Sequence, residues 1–351
     1  MNPKKRPSKA NQSQRREHRS SEIQRILDTL CQGALMPQQF GNRKVRRSGL
    51  TMPVVTPRFV DNAWRRGCDF INLDLEDSVP QNLKGYARGL IKDAIPNVTK
   101  GGAEAFTRIN HDLVEADLEA IIWPGLSKVN YPKAEYGWEI EKLDRIITRL
   151  ERERGIRPGT VEIGANIETA IGVANAYQIA SASPRVREFG GATGYDMSRD
   201  LGVEMFVGFD QFVYGKGETE LAARALNQEV HTAPFTANTT GSVSDPDRAY
   251  QEAEAARKCG FRVGGGLHPN VVDPQNRGFT PTEEEATDAQ NLLEQYRELV
   301  DSGDSWSNVN GLVIDQHEAA RAQDLLDWRR LCQERDREKA EAVARVGEEP
   351  V

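Results

Sequence analysis

The sequence predicts an α/β fold, a (β/α)8 TIM barrel with a C-terminal helical extension. Three observations predict it. Eight short apolar runs follow one another from Leu50 onward, amphipathic stretches separate most of them, and five successive runs finish on carboxylates, Arg or Lys. Apolar runs alternating with helices read as parallel strands joined by crossovers, and eight of them favour a closed barrel over an open sheet. With 351 residues, 38% of them hydrophobic and 28% charged, the chain accommodates one such barrel and terminal extensions.

Residues 1–20 read as a disordered basic tail. Lys4, Lys5, Arg6, Lys9, Arg15, Arg16 and Arg19 outnumber Glu17 by six, so a net charge of −7 leaves −13 on the rest. Interleaved Pro, Ser, Asn and Gln without aromatics suit a solvated arm, and the acidic body argues against nucleic acid as main partner. Residues 21–45 read as a short helix and linker, Ser21–Cys31 placing Ile23, Ile26, Leu27 and Leu30 on one face behind a Ser-Ser cap. The barrel is expected over 46–281. Its strands are read at Leu50–Val55, Asp69–Leu75, Glu104–Ile109, Ile121–Val129, Val161–Ile167, Val186–Gly194, Thr232–Asn238 and Phe261–His268. Pro57–Arg66 and Ala249–Cys259 are among the intervening helices. Thr282–Val300 and Glu318–Asp336 form the extension, 282–336, and 337–351 reads as a charged tail.

No run approaches the roughly 20 apolar residues of a membrane span, and no signal peptide is visible. Cys31, Cys68, Cys259 and Cys332 lack CxxC spacing. A disulfide framework or structural zinc is therefore not expected, and a cytoplasmic setting is.

In a (β/α)8 barrel the C-terminal strand ends converge on one mouth. Asp74, Glu76 and Asp77 end the second run (LDLED), Arg108 and Asn110 the third (TRIN), and Lys128 the fourth (SKVN). Glu168 and Thr169 end the fifth (ANIET), and Asp196 follows the sixth (GATGYD). A ring of salt bridges is one account of them. A binding site is the other, because gathered like charges need compensation. Glu168 and Asp196 with water make a hard oxygen site suited to Mg2+. Arg108 can grip a carboxylate through two parallel hydrogen bonds. Gly190, Gly191 and Gly194 bracket the sixth strand end, where bulk would block a metal. His268 in GGLHPN reads as a shape-fixing hydrogen-bonder. Gly264–Gly266 is either a tight loop or a phosphate approach, without the GK[ST] of a P-loop.

The ordered series RSGLTMPVVTPRF, GCDFINLDLEDSVP, TRIN, ANIETAIGVANAYQIASASPRV, GATGYDMSRDLG, SDPD, GGLHPNVV and GFTPTEEEA resembles the citrate lyase β-subunit and malyl-CoA lyase family, from about Arg46 to Leu326. The resemblance implies a barrel that cleaves or forms a carbon–carbon bond beside a 2-oxo acid. It implies Mg2+, with Mn2+ as substitute, on Glu168 and Asp196, and Arg108 on the oxo-acid carboxylate. Glu76 and Asp77 would order the metal's waters and the Arg, and Lys128 would be a mouth lysine binding substrate beside Gly194. Asp315 in VIDQHEAA would reach a neighbouring subunit's site for proton transfer, which implies a homotrimer or a hexamer. The implied substrate is a 3-hydroxyacyl-CoA such as malyl-CoA or citramalyl-CoA, giving an acyl-CoA and glyoxylate or pyruvate.

Three departures touch the thioester half of that reading. Thr56-Pro57 stands where many relatives have Arg-Pro, WPGLSKVN replaces an apolar run into Pro-Lys, and Phe206–Asn238 matches loosely. A CoA-independent 2-oxo-acid aldolase, an acyl-CoA thioesterase, and a non-catalytic scaffold recruiting a partner through the basic arm stay open.

Overall fold

Seven parallel strands hydrogen-bond in sequence order: β1 (Gly49–Pro53), β2 (Phe70–Asp74), β3 (Glu104–Arg108), β4 (Leu126–Tyr131), β5 (Glu162–Ile167), β6 (Val186–Gly191) and β7 (Glu229–His231). The computed structural model describes residues 44–204, 211–226, 229–231, 244–309 and 311–348. The helices are α1 (Pro57–Ala63), α2 (Lys84–Val98), α3 (Val114–Ile121), α4 (Gly137–Glu153), α5 (Ala170–Ala174), α6 (Ala176–Ser181), α7 (Gly194–Leu201), α8 (Val213–Ala225), α9 (Pro246–Lys258), α10 (Val272–Phe279), α11 (Glu283–Ser302) and α12 (Gln316–Glu348). The described residues fall into two compact units, 44–280 with 331–348, and 281–330.

The eighth barrel position is taken by a short bridge. Thr51 N donates to Gly266 O at 3.0 Å, and Gly266 N donates to Gly49 O at 2.9 Å, so Gly266 runs parallel to β1 on the side away from β2. This is the TIM-barrel order, with the expected eighth strand shortened. At Gly264 a Cβ would lie 2.7 Å from Arg47 O and 2.6 Å from the Phe279 ring. The glycine run therefore serves close packing, and the Gly264 and Gly266 amides are spent on the ladder. β7 lies ahead of the expected Thr232–Asn238. That range, the basic tail and the helix read at Ser21–Cys31 lie outside the described residues.

Strand alternation sorts the side chains. Outward residues such as Ile71, Leu73, Ala105, Val129, Ile163 and Ile167 join Ile91, Ile95, Leu118, Ile140, Leu143, Ile147 and Ile179 of the helices in one apolar shell. Inward positions are mostly polar. Arg46 pairs with Glu104 (2.7 Å), Glu162 (2.8 Å) and Glu188 (3.3 Å), and Glu188 also pairs with Lys128. Phe70 stacks on Phe106, and the Lys128 ammonium lies 3.9 Å from the Phe106 centroid. Above them Asn130 donates to Asn72, and Asn72 to Thr51. This polar lining accounts for a misjudged strand: β4 was expected to finish near Lys128, yet Lys128 and Asn130 are inward residues of a strand running on to Tyr131. Ile121, read as the start of that strand, is the last residue of α3.

The helix expected to stop at Asp336 continues to Glu348. Its continuation docks at the N-terminal end of the barrel. Arg335 Nη2 donates to Asp69 O (2.8 Å) and Gly102 O (2.7 Å), and Lys339 Nζ donates to Gly67 O (2.8 Å) and Asp69 Oδ1 (2.6 Å). The other unit, taken by itself, packs Ala289, Leu293 and Tyr296 of α11 with Ile314, Ala319 and Ala322. Thr282 and Glu285 close a capping box on α11, and β8 (Trp306–Val309) pairs antiparallel with β9 (Leu312–Asp315). Among the described residues, no helix is long and apolar enough to cross a membrane.

Candidate active site

The turn after β2 is built around Asp74. Its carboxylate is fully buried and accepts hydrogen bonds from Glu76 N (3.1 Å), Ser78 N (3.0 Å) and Ser78 Oγ (2.5 Å), which fold LDLEDS back on itself. Register places Arg108 opposite it, and Arg108 grips Asp74 bidentately through Nε (2.7 Å) and Nη2 (2.8 Å). Burial would raise the Asp74 carboxyl, and the hydrogen bonds from Arg108 outweigh it and hold it below its usual range. Arg108 Nη1 then meets Glu76 Oε2 at 2.7 Å and Asp77 Oδ2 at 3.4 Å. Asp77 is largely exposed, so its hold on Arg108 is the weaker one.

Beyond β4, Pro132 ends the ladder and Lys133 adopts a left-handed backbone, φ 50°. Its amide donates to Glu168 Oε2 at 3.2 Å, fixing the carboxylate that follows β5. Its ammonium donates to Glu76 Oε1 at 2.7 Å and lies 3.6 Å from Asp196 Oδ1 and 3.9 Å from Glu168 Oε2. Asp196 arrives on the first turn of α7, beside Arg199 at 3.0 Å. Gly191, φ 115°, makes this approach possible, since a Cβ there would lie 2.6 Å from Ile167 O. Gly194, φ 93°, opens α7 with empty space where a side chain would stand. Burial, reinforced by Glu76, pushes the Glu168 carboxyl up to about 7, and burial also raises Glu76.

The five carboxylates Asp74, Glu76, Asp77, Glu168 and Asp196 outnumber the cations Arg108, Lys133, Arg199 and Lys84, whose ammonium sits on the Leu75 and Glu76 carbonyls. A bound cation would offset that excess. Among the described residues no three His, Cys, Asp or Glu side chains converge as a complete metal cage. The donor set fits a hard ion that keeps several waters or ligand oxygens, and Glu168 and Asp196 are the side chains that could hold it.

Of the residues singled out from sequence, Glu76, Asp77, Arg108, Glu168, Asp196 and Gly194 therefore share the mouth. Lys128 does not: it is completely buried inside the barrel, paired with Glu188, and burial lowers its ammonium to about 8. Asp315 lies in the other unit, where its Oδ1 accepts from His317 N (2.8 Å) and Glu318 N (2.9 Å) at the start of α12. His268 accepts from Asn270 N at 3.2 Å, a shape-fixing cap. Sequence reasoning passed over Lys133 and gave Asp74 no role. A Pro-Lys pair directly follows β4 at Pro132-Lys133, five residues beyond Lys128.

Residues 47–269 match the HpcH/HpaI aldolase/citrate lyase family. The chain belongs to this family. Among relatives of the HpcH/HpaI group, the citrate lyase subunit beta of Leuconostoc mesenteroides subsp. cremoris is 29% identical, over 81% of this chain and 93% of its own. The L-malyl-CoA/beta-methylmalyl-CoA lyase of Cereibacter sphaeroides is 26% identical, over 77% of this chain and 90% of its own. The crystal structure of CitE from Mycobacterium tuberculosis, in complex with magnesium, acetoacetate and coenzyme A, superposes with a TM-score of 0.63 at 22% identity, covering 81% of this chain and 98% of CitE. Membership of the HpcH/HpaI aldolase/citrate lyase family makes the chain a carbon–carbon lyase.

Proposed function

We propose that the chain is a Mg2+-dependent lyase that cleaves, or in reverse forms, a 3-hydroxyacyl-CoA such as malyl-CoA or citramalyl-CoA, with an acyl-CoA and glyoxylate or pyruvate as the other side of the reaction. The observation that carries this reading is the convergence of Glu168 and Asp196 on one cation position, next to an Arg108 clamped by Asp74. The magnesium, acetoacetate and coenzyme A held by CitE support it, as do the names of the lyase relatives.

Glu168 and Asp196 would hold Mg2+, with Mn2+ as substitute. When bound, the metal supplies Lewis-acid polarisation to the keto oxygen and carboxylate of the oxo acid. Arg108 orients that carboxylate through its Nη edge, since Asp74 occupies the Nε edge. Glu76 and Asp77 hold Nη1 in place until the carboxylate arrives. In cleavage, a base takes the hydroxyl proton, the carbon–carbon bond breaks, and the thioester fragment leaves as an enolate that is then protonated. We assign that proton transfer to Asp315 of a neighbouring copy, which requires a homo-oligomer such as a trimer or hexamer.

Thr56 supports a second reading, a CoA-independent aldolase. It stands at the N-cap of α1, at the position where the resemblance gives many relatives an Arg that helps bind CoA, and its side chain makes no capping hydrogen bond. A panel of malyl-CoA-like and citramalyl-CoA-like thioesters and the corresponding free hydroxy acids, assayed for keto acid and free thiol with and without EDTA, separates the readings. The lyase releases keto acid and acyl-CoA only with metal. Free CoA without keto acid marks a thioesterase, keto acid from a free hydroxy acid marks the aldolase, and a metal-loaded protein inert in both directions overturns all three.

Asp74→Asn tests the clamp. It removes the charge that fixes the Nε edge of Arg108, so KM for the oxo acid in the condensation direction is expected to rise by about tenfold or more, with a smaller loss in kcat.

A further inference from the structure

We infer that Lys133 is a built-in stand-in for the divalent cation: its ammonium neutralises Glu168 and Asp196 when no metal is bound and must yield them when metal binds. The inference rests on the metal reading above. Three features of one residue carry it. The Lys133 amide holds Glu168 Oε2 at 3.2 Å, so backbone and side chain of Lys133 address the same carboxylate. The ammonium lies within 4 Å of both expected ligands, at 3.6 Å and 3.9 Å, yet among the described residues it hydrogen-bonds only to Glu76, at 2.7 Å. The residue also holds φ at 50°, a conformation that side chains with a Cβ rarely adopt and that persists where the surroundings enforce it.

The electrostatics give each contact a purpose. Without a cation, Glu76, Glu168 and Asp196 repel one another, and a single ammonium between them removes part of that repulsion. A divalent ion on Glu168 and Asp196 brings two positive charges beside Nζ and repels it. Glu76 is the partner on which Nζ remains when the longer contacts are given up. Lys133 thus orders the metal-free carboxylates and lowers their affinity for metal. Its loss should therefore act in the direction opposite to the loss of a ligand.

The test is calorimetric titration of Mg2+ into metal-free, full-length protein without substrate, for wild type, Lys133→Met, Lys133→Gly, Lys133→Arg and Glu168→Gln. Lys133→Met is expected to bind Mg2+ roughly tenfold tighter, a difference of about 1.4 kcal/mol. Lys133→Gly suits a positive φ, so it removes the ammonium without backbone strain and should show the same tightening. Lys133→Arg retains the charge and should stay close to wild type. The metal-free Lys133→Met protein should melt below wild type, and saturating Mg2+ should close the gap. Wild-type binding that Glu168→Gln abolishes, together with equal or weaker binding in both Lys133→Met and Lys133→Gly, overturns the stand-in role alone. Absence of Mg2+ binding in wild type, or binding that survives Glu168→Gln, overturns the metal reading and this inference with it.

Discussion

Glu168→Gln is expected to lower kcat by roughly a thousandfold or more, since Lewis-acid stabilisation by a metal is worth several kcal/mol of barrier. The same substitution should leave the metal-free fold at least as stable at neutral pH. Glu168 is a carboxyl that burial and Glu76 push from an ordinary 4.5 to about 7, so its ionised form is a burden the fold carries for binding. The sign follows from linkage. A carboxyl raised on folding contributes stability fully below about 4.5 and loses it as pH rises through about 7. The metal-free wild type should thus lose stability across that window, and Glu168→Gln should lose less. Metal affinity runs the other way. Mg2+ takes the ionised carboxylate, so below about 7 wild-type affinity should fall by up to about tenfold per pH unit. Thermal melts and Mg2+ titrations from pH 5 to 8 check both. A Glu168→Gln enzyme with near-normal kcat would remove Glu168 from the metal.

The mouth of the barrel was more legible than its interior, and the reason is the polarity of the lining. Glu168 and Asp196 stood out because each closely follows the end of a strand run, Glu168 directly after ANI and Asp196 after GATG and one further residue, where a barrel turns from strand to loop. Arg108 was legible for the same reason. Lys128 broke that rule: it looked like a strand end because a charged residue interrupts the apolar pattern, although it faces the barrel axis with Asn130 two residues later. The inward sequence Lys128, Asn130 shows the period of two, but only a partner makes such residues readable as interior, and Glu188 is sixty residues away. Lys133 was invisible for a different reason. It lies past a proline, in a backbone conformation that no sequence pattern announces, and its importance comes from three acids delivered by three other segments. The extension hid its docking in the same way. Arg335 and Lys339 in a run of alternating charge read as a solvated helix, yet they bond to carbonyls at Gly67, Asp69 and Gly102.

Asp69→Ala is expected to destabilise the barrel by about 3–5 kcal/mol, the typical cost of removing one member of a buried ion pair. Asp69 and Arg47 are both fully buried. Asp69 accepts from Arg47 N (2.8 Å), Nε (3.0 Å) and Nη2 (3.2 Å) and from Lys339 Nζ (2.6 Å). Without the carboxylate, Arg47 keeps only Thr280 and the half-exposed Asp336, and Lys339 keeps Gly67 O and Asp336. Thermal unfolding should shift down by on the order of 10 °C. Amide exchange in the Leu331–Glu348 stretch should accelerate before the strands do, because the variant takes away a ligand of that stretch and leaves the ladder intact. Against the burial that would raise it, Arg47 and Lys339 hold the Asp69 carboxyl below its ordinary 3.8. Its contribution is therefore present above that pH and lost as pH falls below it, a loss the Asp69→Ala protein should not show. The decisive comparison is the pair Arg47→Met with Asp69→Leu. If the cost of each single substitution is an uncompensated buried charge, the double variant should be destabilised by less than the sum of the two single ones, with a coupling of about 1–3 kcal/mol. Additive losses would mean that Arg47 and Asp69 stabilise the fold independently, through Asp336, Thr280 and Lys339 rather than through each other.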